Sequence, residues 1–496
     1  MTKPAYAPPT VRRIAPGALN PQRHGRAPVL EAIDGVAVTD LLAAHGSPLF
    51  VFSEADLRAK ARALREAFTS RYPEVVFAWS YKTNYLDAIC RVFHDEGWIA
   101  EVVSDFEYEK ARGNGIAGSD IVFNGPWKSP AALRRAVDEG AMLQIDNGGE
   151  LLALARIADE LEREIPVALR VHLDTGTHAP WSKFGFDADT GEAARMIQWL
   201  AGHTRLRLRG LHAHIGTFML DAGAYAIAVE RLVGLALGAE QAGAGPVEYL
   251  NVGGGFASHA RLHGQVAAPE QATPGFDRYA EEICGTVLRL WPADRRPPRL
   301  ILETGRALVD EAGYLLATVV AVKNRRVGGN AAAAALAAFG KDSATLAAYG
   351  KTAGALAAYG KETGATLPGG DQRALVVDAG INLLYTTAWY QPTIHVARTG
   401  GGTARLTTLY GCLCMNIDVI REQTPLPEDL RPGDAIVVHP VGAYNWTQSM
   451  QFITYRPAVV LVAPDGGVHV IRRREQLEDV RGPEQVPAHL AGKPRA

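Results

Sequence analysis

Lys82 lies in Ser80-Tyr81-Lys82-Thr83-Asn84, directly after the β-branched and aromatic run Glu74 to Trp79. A lysine buried at a strand end can shed its proton and attack a carbonyl to form a Schiff base. Taken alone, the same lysine could equally be a solvated surface residue. His212 and His214 stand at i and i+2, so on a strand they share one face. A zinc pair is one use of that spacing, but no further His or Cys pair nearby completes a ligand set. A ring platform for a flat ligand is another. Gly253, Gly254 and Gly255 follow an apolar run and could turn backbone N–H groups toward an anion, or simply make a tight loop. Glu303 and Arg306 could bind opposite charges on a ligand, or pair with each other. Cys412 and Cys414 form a C-x-C, weak as a metal motif without partners. Gly442-Ala443-Tyr444 closes the set.

These residues need a scaffold that brings strand ends together. Ala55 to Phe68 has apolar residues at helical spacing and no Gly or Pro, which predicts a helix. Trp98 to Val103 predicts a strand, with a helix from Phe106. Ile121 to Phe123, Leu143 to Ile145, Pro166 to Val171, Leu208 to Leu211, Tyr249 to Val252 and Leu300 to Leu302 continue the strands. Pro130 to Glu139 and Gly149 to Leu161 are helices between them. About eight strands alternating with helices over roughly 260 residues predict a (β/α)8 barrel. A doubly wound sheet competes, but no GxGxxG opens the first strand–helix turn.

The 496 residues are too many for one small domain. Past Asp310 the texture turns to strands: Tyr314 to Val322, Ala374 to Val377, Ala435 to Val438 and Ala458 to Val462. The expected organisation is a flexible arm over 1–28, a barrel over 48–309, and a mostly β second domain built from 29–47 and 310–480. Three ten-residue repeats, LAAFGKDSAT, LAAYGKTAGA and LAAYGKETGA, form an insert at about 331–366. They are too short and too few for a solenoid and read as a surface insertion.

Hydrophobic residues make up 47% and charged residues 21%, as in soluble globular proteins. The 51 basic and 53 acidic residues leave a net charge of −2, which argues against nucleic-acid or membrane-surface partners. Four cysteines exclude a disulfide scaffold. With no long apolar run and no signal-peptide pattern at the N-terminus, a cytoplasmic location is expected.

In their order along the chain, these segments resemble the fold-type III pyridoxal-phosphate (PLP) decarboxylases, the family of ornithine, arginine and diaminopimelate decarboxylases. Ser104-Asp105-Phe106-Glu107, Asn124-Gly125-Pro126-Trp127-Lys128 and Ser182-Lys183-Phe184-Gly185 add to the match, which runs from about Val29 to Ala463. The resemblance implies an alanine-racemase-like architecture of barrel plus β domain. It implies that Lys82 carries PLP and that His214 stacks on its ring. Thr217, Tyr444 and the N–H groups of Gly253, Gly254 and Gly255 would hold the phosphate. Glu303 would face the pyridine nitrogen, and Arg306, beside the cofactor, would hold a substrate carboxylate. Cys414 would reach the active site of a second subunit and protonate the carbon that has lost CO₂. The enzyme would then be a homodimer with shared sites.

The chain departs from the family where the substrate's far end is read. After the cysteine stands Met415 in place of an acid, so a distal ammonium loses its partner. In Asp378 to Thr386, Thr386 occupies the position of the arginine that diaminopimelate enzymes use for the distal carboxylate, while Tyr390 keeps the tyrosine. An unpaired charge there costs about 1–3 kcal/mol. Asp418 and Asn416 could compensate in part. Trp181, Trp389 and Trp446 would suit a bulkier substrate. The expected activity is α-decarboxylation of a non-standard or conjugated diamino acid. The alternatives are a genuine diaminopimelate decarboxylase, a racemase on the same fold, or a relative that has lost its chemistry. The last would lose cofactor residues, and Lys82, His214, Glu303, Arg306 and Cys414 are all here.

Overall fold

The computed structural model describes residues 27–177, 180–203, 205–327, 370–398 and 403–490. The arm expected over 1–28 lies outside them except for its last two residues, and the repeat insert lies outside them entirely.

Eight parallel strands form a ring: β1 (Val75–Ser80), β2 (Ile99–Val102), β3 (Ile121–Phe123), β4 (Met142–Ile145), β5 (Ile165–His172), β6 (Leu206–Ala213), β7 (Tyr249–Asn251) and β8 (Arg299–Thr304). Each pairs with the next, and β8 returns to β1 with Leu300 opposite Val75 and Thr304 opposite Trp79. The barrel expectation holds, and ring closure removes the doubly wound alternative. Helices wrap the ring for local reasons. Ser53 caps Glu54–Thr69 by accepting the Asp56 N–H at 3.0 Å, and Leu57, Ala61, Leu64 and Phe68 bury one face. Ser104 and Asn147 cap Asp105–Gly113 and Gly148–Glu160 in the same way.

The barrel interior is layered with the strand period of two. Ala78, Ile99, Val122, Met142, Ala168, Tyr249 and Ile301 pack as one apolar layer. On β6 that layer has Gly210, because a Cβ there would overlap the Tyr249 ring. Two residues further along each of the eight strands the layer turns polar: Ser80, Glu101, Asn124, Gln144, Arg170, His212, Asn251 and Glu303, all buried. Buried polar groups are costly unless paired. This layer is therefore the part of the core where a hydrogen-bond network is concentrated. One further step on β1 and β6 leads to Lys82 and His214, and on β7 and β8 to Gly253 and Gly305.

The second domain is sheet-rich. Gly313–Val327 pairs antiparallel with Leu49–Ser53, Gly370–Val377 and Ala435–His439, and Ala458–Val462 pairs parallel with Leu49–Ser53. The barrel boundary expected at residue 48 is thus displaced. Leu49–Ser53 is fully buried and belongs to the β domain, and the first barrel strand starts at Val75. At the other end, Val29 bridges Val396 at the edge of the β domain, Ala32–Ile33 pairs with Val36–Ala37 in a short hairpin, and Val38 starts a helix. Gly442 joins the domains, since a Cβ there would overlap the Val309 carbonyl.

Candidate active site

Lys82 follows β1 and donates to both carboxylate oxygens of Glu101 on β2, at 2.9 and 2.7 Å. Burial opposes the ammonium, but Glu101, Tyr444 and Glu303 outweigh it and hold the lysine charged above its usual range. Ser80 donates a short hydrogen bond to the same carboxylate. Asn124 bridges two acids with one amide nitrogen, 3.0 Å from Glu101 and 2.7 Å from Glu303. Asn251 donates to Glu303 at 2.5 Å. Two carboxylates in one dry layer do not both ionise easily. Glu101, paired with Lys82, is held below the usual carboxylate range despite its burial. Glu303 is pushed up to about 7 by burial and by Glu101.

His214 accepts the Gly254 N–H at Nδ1, 3.0 Å away. Burial, with Lys82 and Arg170 nearby, keeps this imidazole neutral. Gly253 donates to Asn251 Oδ1 at 2.9 Å. The N–H groups of Gly253 and Gly254, expected to hold a phosphate, are therefore taken by side chains. These two glycines serve close packing instead: a Cβ on Gly253 would come 2.7 Å from His214 Nδ1, and one on Gly254 would overlap the Glu303 carbonyl. Gly255 remains on the cavity wall, at φ 93°.

Lys82, His214, Thr217, Gly255, Glu303, Arg306 and Tyr444 line one narrow cavity. Arg306 starts the short helix after β8. Its guanidinium lies 4.3 Å from the Tyr390 ring, 4.9 Å from Tyr444 and 5.9 Å from Phe218, and bonds Asp310 at 3.3 Å. Thr217, Arg306 and Tyr444 also line a wider cavity of about 450 Å³, completed by Phe218, Leu262, Tyr385, Thr386, Trp389, Tyr390 and Gln448. Among the described residues no Asp or Glu lines it. The Thr386 hydroxyl is engaged by Asn445 Oδ1 at 3.0 Å. Trp181 stands edge-on to His214 at 5.4 Å, and Trp389 lines the wider cavity. Trp446 does not; it is buried against Phe50 in the core.

Cys414 and Met415 do not line the Lys82 cavity. They lie on the loop Gly411–Asp418, where Cys414 is exposed and Met415 lines a separate cavity in the β domain. Asp418, expected to help bind substrate, is buried and accepts the N–H groups of Ile381 (2.8 Å) and Leu413 (2.7 Å). Its carboxylate shapes the loop, and Gly411 is required because a Cβ would overlap that carboxylate.

Residues 54–310 match the family model "Pyridoxal-dependent decarboxylase, pyridoxal binding domain". The chain belongs to the pyridoxal-dependent decarboxylases. Over 459 residues it is 31% identical to the diaminopimelate decarboxylase of Actinosynnema pretiosum subsp. auranticum, covering 90% of this chain and 91% of that one. It is 28% identical over 474 residues to that of Methanothermobacter thermautotrophicus, covering 92% and 96%. The structure of the M. jannaschii diaminopimelate decarboxylase in complex with L-lysine superimposes with a TM-score of 0.75 at 25% identity, over 92% of this chain and 96% of that one.

This decarboxylase is a PLP enzyme, and its residues fit the cofactor. One cavity offers an amine, a neutral imidazole, a carboxyl, a guanidinium and a phenol around Gly255, where a Cβ would overlap the Gly216 carbonyl. Sequence reading missed Glu101, Asn251 and the bridging role of Asn124. Their signal was a polar residue at the end of an otherwise apolar strand. No helix among the described residues of the decarboxylase is long and apolar enough to cross a membrane.

Proposed function

We propose that the enzyme removes the α-carboxyl of a conjugated diamino acid, one whose far amine is acylated and not a free ammonium, in sites shared between two subunits. The observation that carries this reading is the cavity of Tyr385, Thr386, Trp389 and Tyr390 beside Arg306, walled by rings and free of acids among the described residues. A distal ammonium entering it finds no counter-charge, at a cost of about 1–3 kcal/mol.

Bound on Lys82, PLP supplies an electron sink for the pair left on the α-carbon when CO₂ departs. Glu303 would hold the proton at the ring nitrogen, and its raised affinity for a proton lets it respond to the charge placed beside it. His214, uncharged, would offer the ring a flat neighbour that does not compete for that electron pair. Arg306 would hold an anionic group, its guanidinium fixed between Tyr390 and Tyr444. Cys414 lies outside its own chain's cavity on an exposed loop, with Ile417 66% exposed beside it. That position supports a thiol that protonates the α-carbon in a second subunit.

A second reading, meso-diaminopimelate as substrate, is favoured by the names of the relatives. CO₂ release from the PLP-loaded protein separates the two. The panel holds lysine, ornithine, arginine, meso-diaminopimelate and Nε-acylated lysines, with Lys82→Ala as control. Release confined to acylated substrates supports the first reading. Turnover of meso-diaminopimelate at the highest kcat/KM supports the second.

A further inference from the structure

The wider cavity shares Tyr390 with a further one of about 330 Å³, lined by His263, Thr387, Gln391, Arg421 and Glu422 among others. The two are held in register by a clasp between loops. His263 N–H donates to the Trp389 carbonyl at 2.9 Å, and Gln391 N–H to the Arg261 carbonyl at 2.7 Å. The His263 ring bridges the Thr387 carbonyl (2.8 Å) and the Gln391 amide (3.0 Å).

Arg421 is the odd residue in this pocket. It is half-buried on the strand Val419–Pro427, and one guanidinium nitrogen is buried with no hydrogen-bond partner. Glu422 lines the same cavity but is exposed and makes no ion pair with it among the described residues. Burial, and after it the neighbouring cation Arg261, lower the proton affinity of Arg421. A guanidinium without an anion beside it is an available donor for a carboxylate.

We infer that the Arg421 pocket is a carboxylate-binding site, and that it receives the far end of an extended substrate that passes Tyr390. This rests on the reading that the cavity beside Arg306 takes the substrate's side chain. The chemistry required is an amino acid lengthened through an uncharged linkage and ending in a carboxylate. A free dicarboxylate is the other source of the same group.

Nε-succinyl-lysine and Nε-acetyl-lysine share one amide and differ in the terminal carboxylate. With the PLP-loaded enzyme, the succinyl compound should have a KM about tenfold lower. Arg421→Met should abolish that difference without changing KM for the acetyl compound, and Arg421→Lys should restore part of it. Melting temperatures check that the variants fold. Equal KM for both tails, with glutarate binding that depends on Arg421, would keep the anion site and assign it to a free dicarboxylate. Equal KM and no Arg421-dependent glutarate binding would overturn the inference. Failure to bind either acylated lysine would instead overturn the reading of the cavity beside Arg306, and glutarate would still test Arg421.

Discussion

Lys82 presents its ammonium to both oxygens of Glu101, at 2.9 and 2.7 Å, within a layer of buried polar residues at the end of the barrel. This ion pair sets the lysine's protonation. A lysine must be neutral to attack an aldehyde. In Glu101→Gln the shape is kept and the carboxylate charge is lost, while burial continues to disfavour the ammonium. Uptake of PLP by the cofactor-free variant at pH 7 should be about tenfold faster than in the wild type, one unit of lysine pKa being a tenfold change in the neutral fraction. Stopped-flow absorbance measures it. Unchanged or slower uptake would show that Glu101 does not control the amine.

His214 governs a pH effect on stability. The folded protein keeps this ring neutral well below the pH at which a free imidazole protonates, about 6.5. Below that value the unfolded chain therefore binds more protons, and stability is lost as pH falls. His214→Phe removes one such group and keeps a flat ring. Urea unfolding of the cofactor-free protein between pH 7 and 5 should show a shallower loss of stability, by up to about one proton in slope. Identical slopes would mean that the folded protein protonates His214 as readily as the unfolded chain does.

Gly254 is fixed by contact on both sides. Its N–H meets His214, and a Cβ would overlap the Glu303 carbonyl. Gly254→Ala must push β7 from β8, at a cost of about 1–3 kcal/mol. The expected result is a lower melting temperature together with weaker PLP retention in dialysis. A variant that melts and retains PLP like the wild type would refute the contact.

Much of this was legible in the residues. The barrel could be read because each strand is a short apolar run between longer helical stretches, and Lys82, His214, Glu303 and Arg306 end such runs. Leu49–Ser53 was misplaced because an apolar run shows burial, not which sheet it joins; only its pairing with Gly313–Val327 decides that. The triple glycine was read as a phosphate cradle because glycine permits close approach of any kind. Here Gly253 and Gly254 approach His214 and Glu303. Asp418 read as a substrate acid because its carboxylate chemistry is visible in sequence, whereas the N–H groups of Ile381 and Leu413 that engage it are not. Arg421 gave no sequence signal, since its lack of a partner exists only in the fold.

Cys414 should complement Lys82 across subunits. Lys82→Ala and Cys414→Ala homodimers are each expected to be inactive or nearly so. Mixed in equal amounts and allowed to exchange, they form hybrids with one intact site, and activity should return to about one quarter of wild type. No recovery despite exchange, followed by mass spectrometry, would rule out sites built from two chains.

The most direct measurement is the ratio of kcat/KM for Nε-acetyl-lysine over meso-diaminopimelate, in the wild type and in Thr386→Arg. The cavity beside Arg306 offers rings and a hydroxyl already engaged by Asn445. The predicted ratio exceeds one in the wild type and falls at least about tenfold when Thr386→Arg supplies a cation for the far carboxylate. A wild-type ratio below one, unmoved by the substitution, would contradict the account and make the enzyme a diaminopimelate decarboxylase that reads its substrate by other residues.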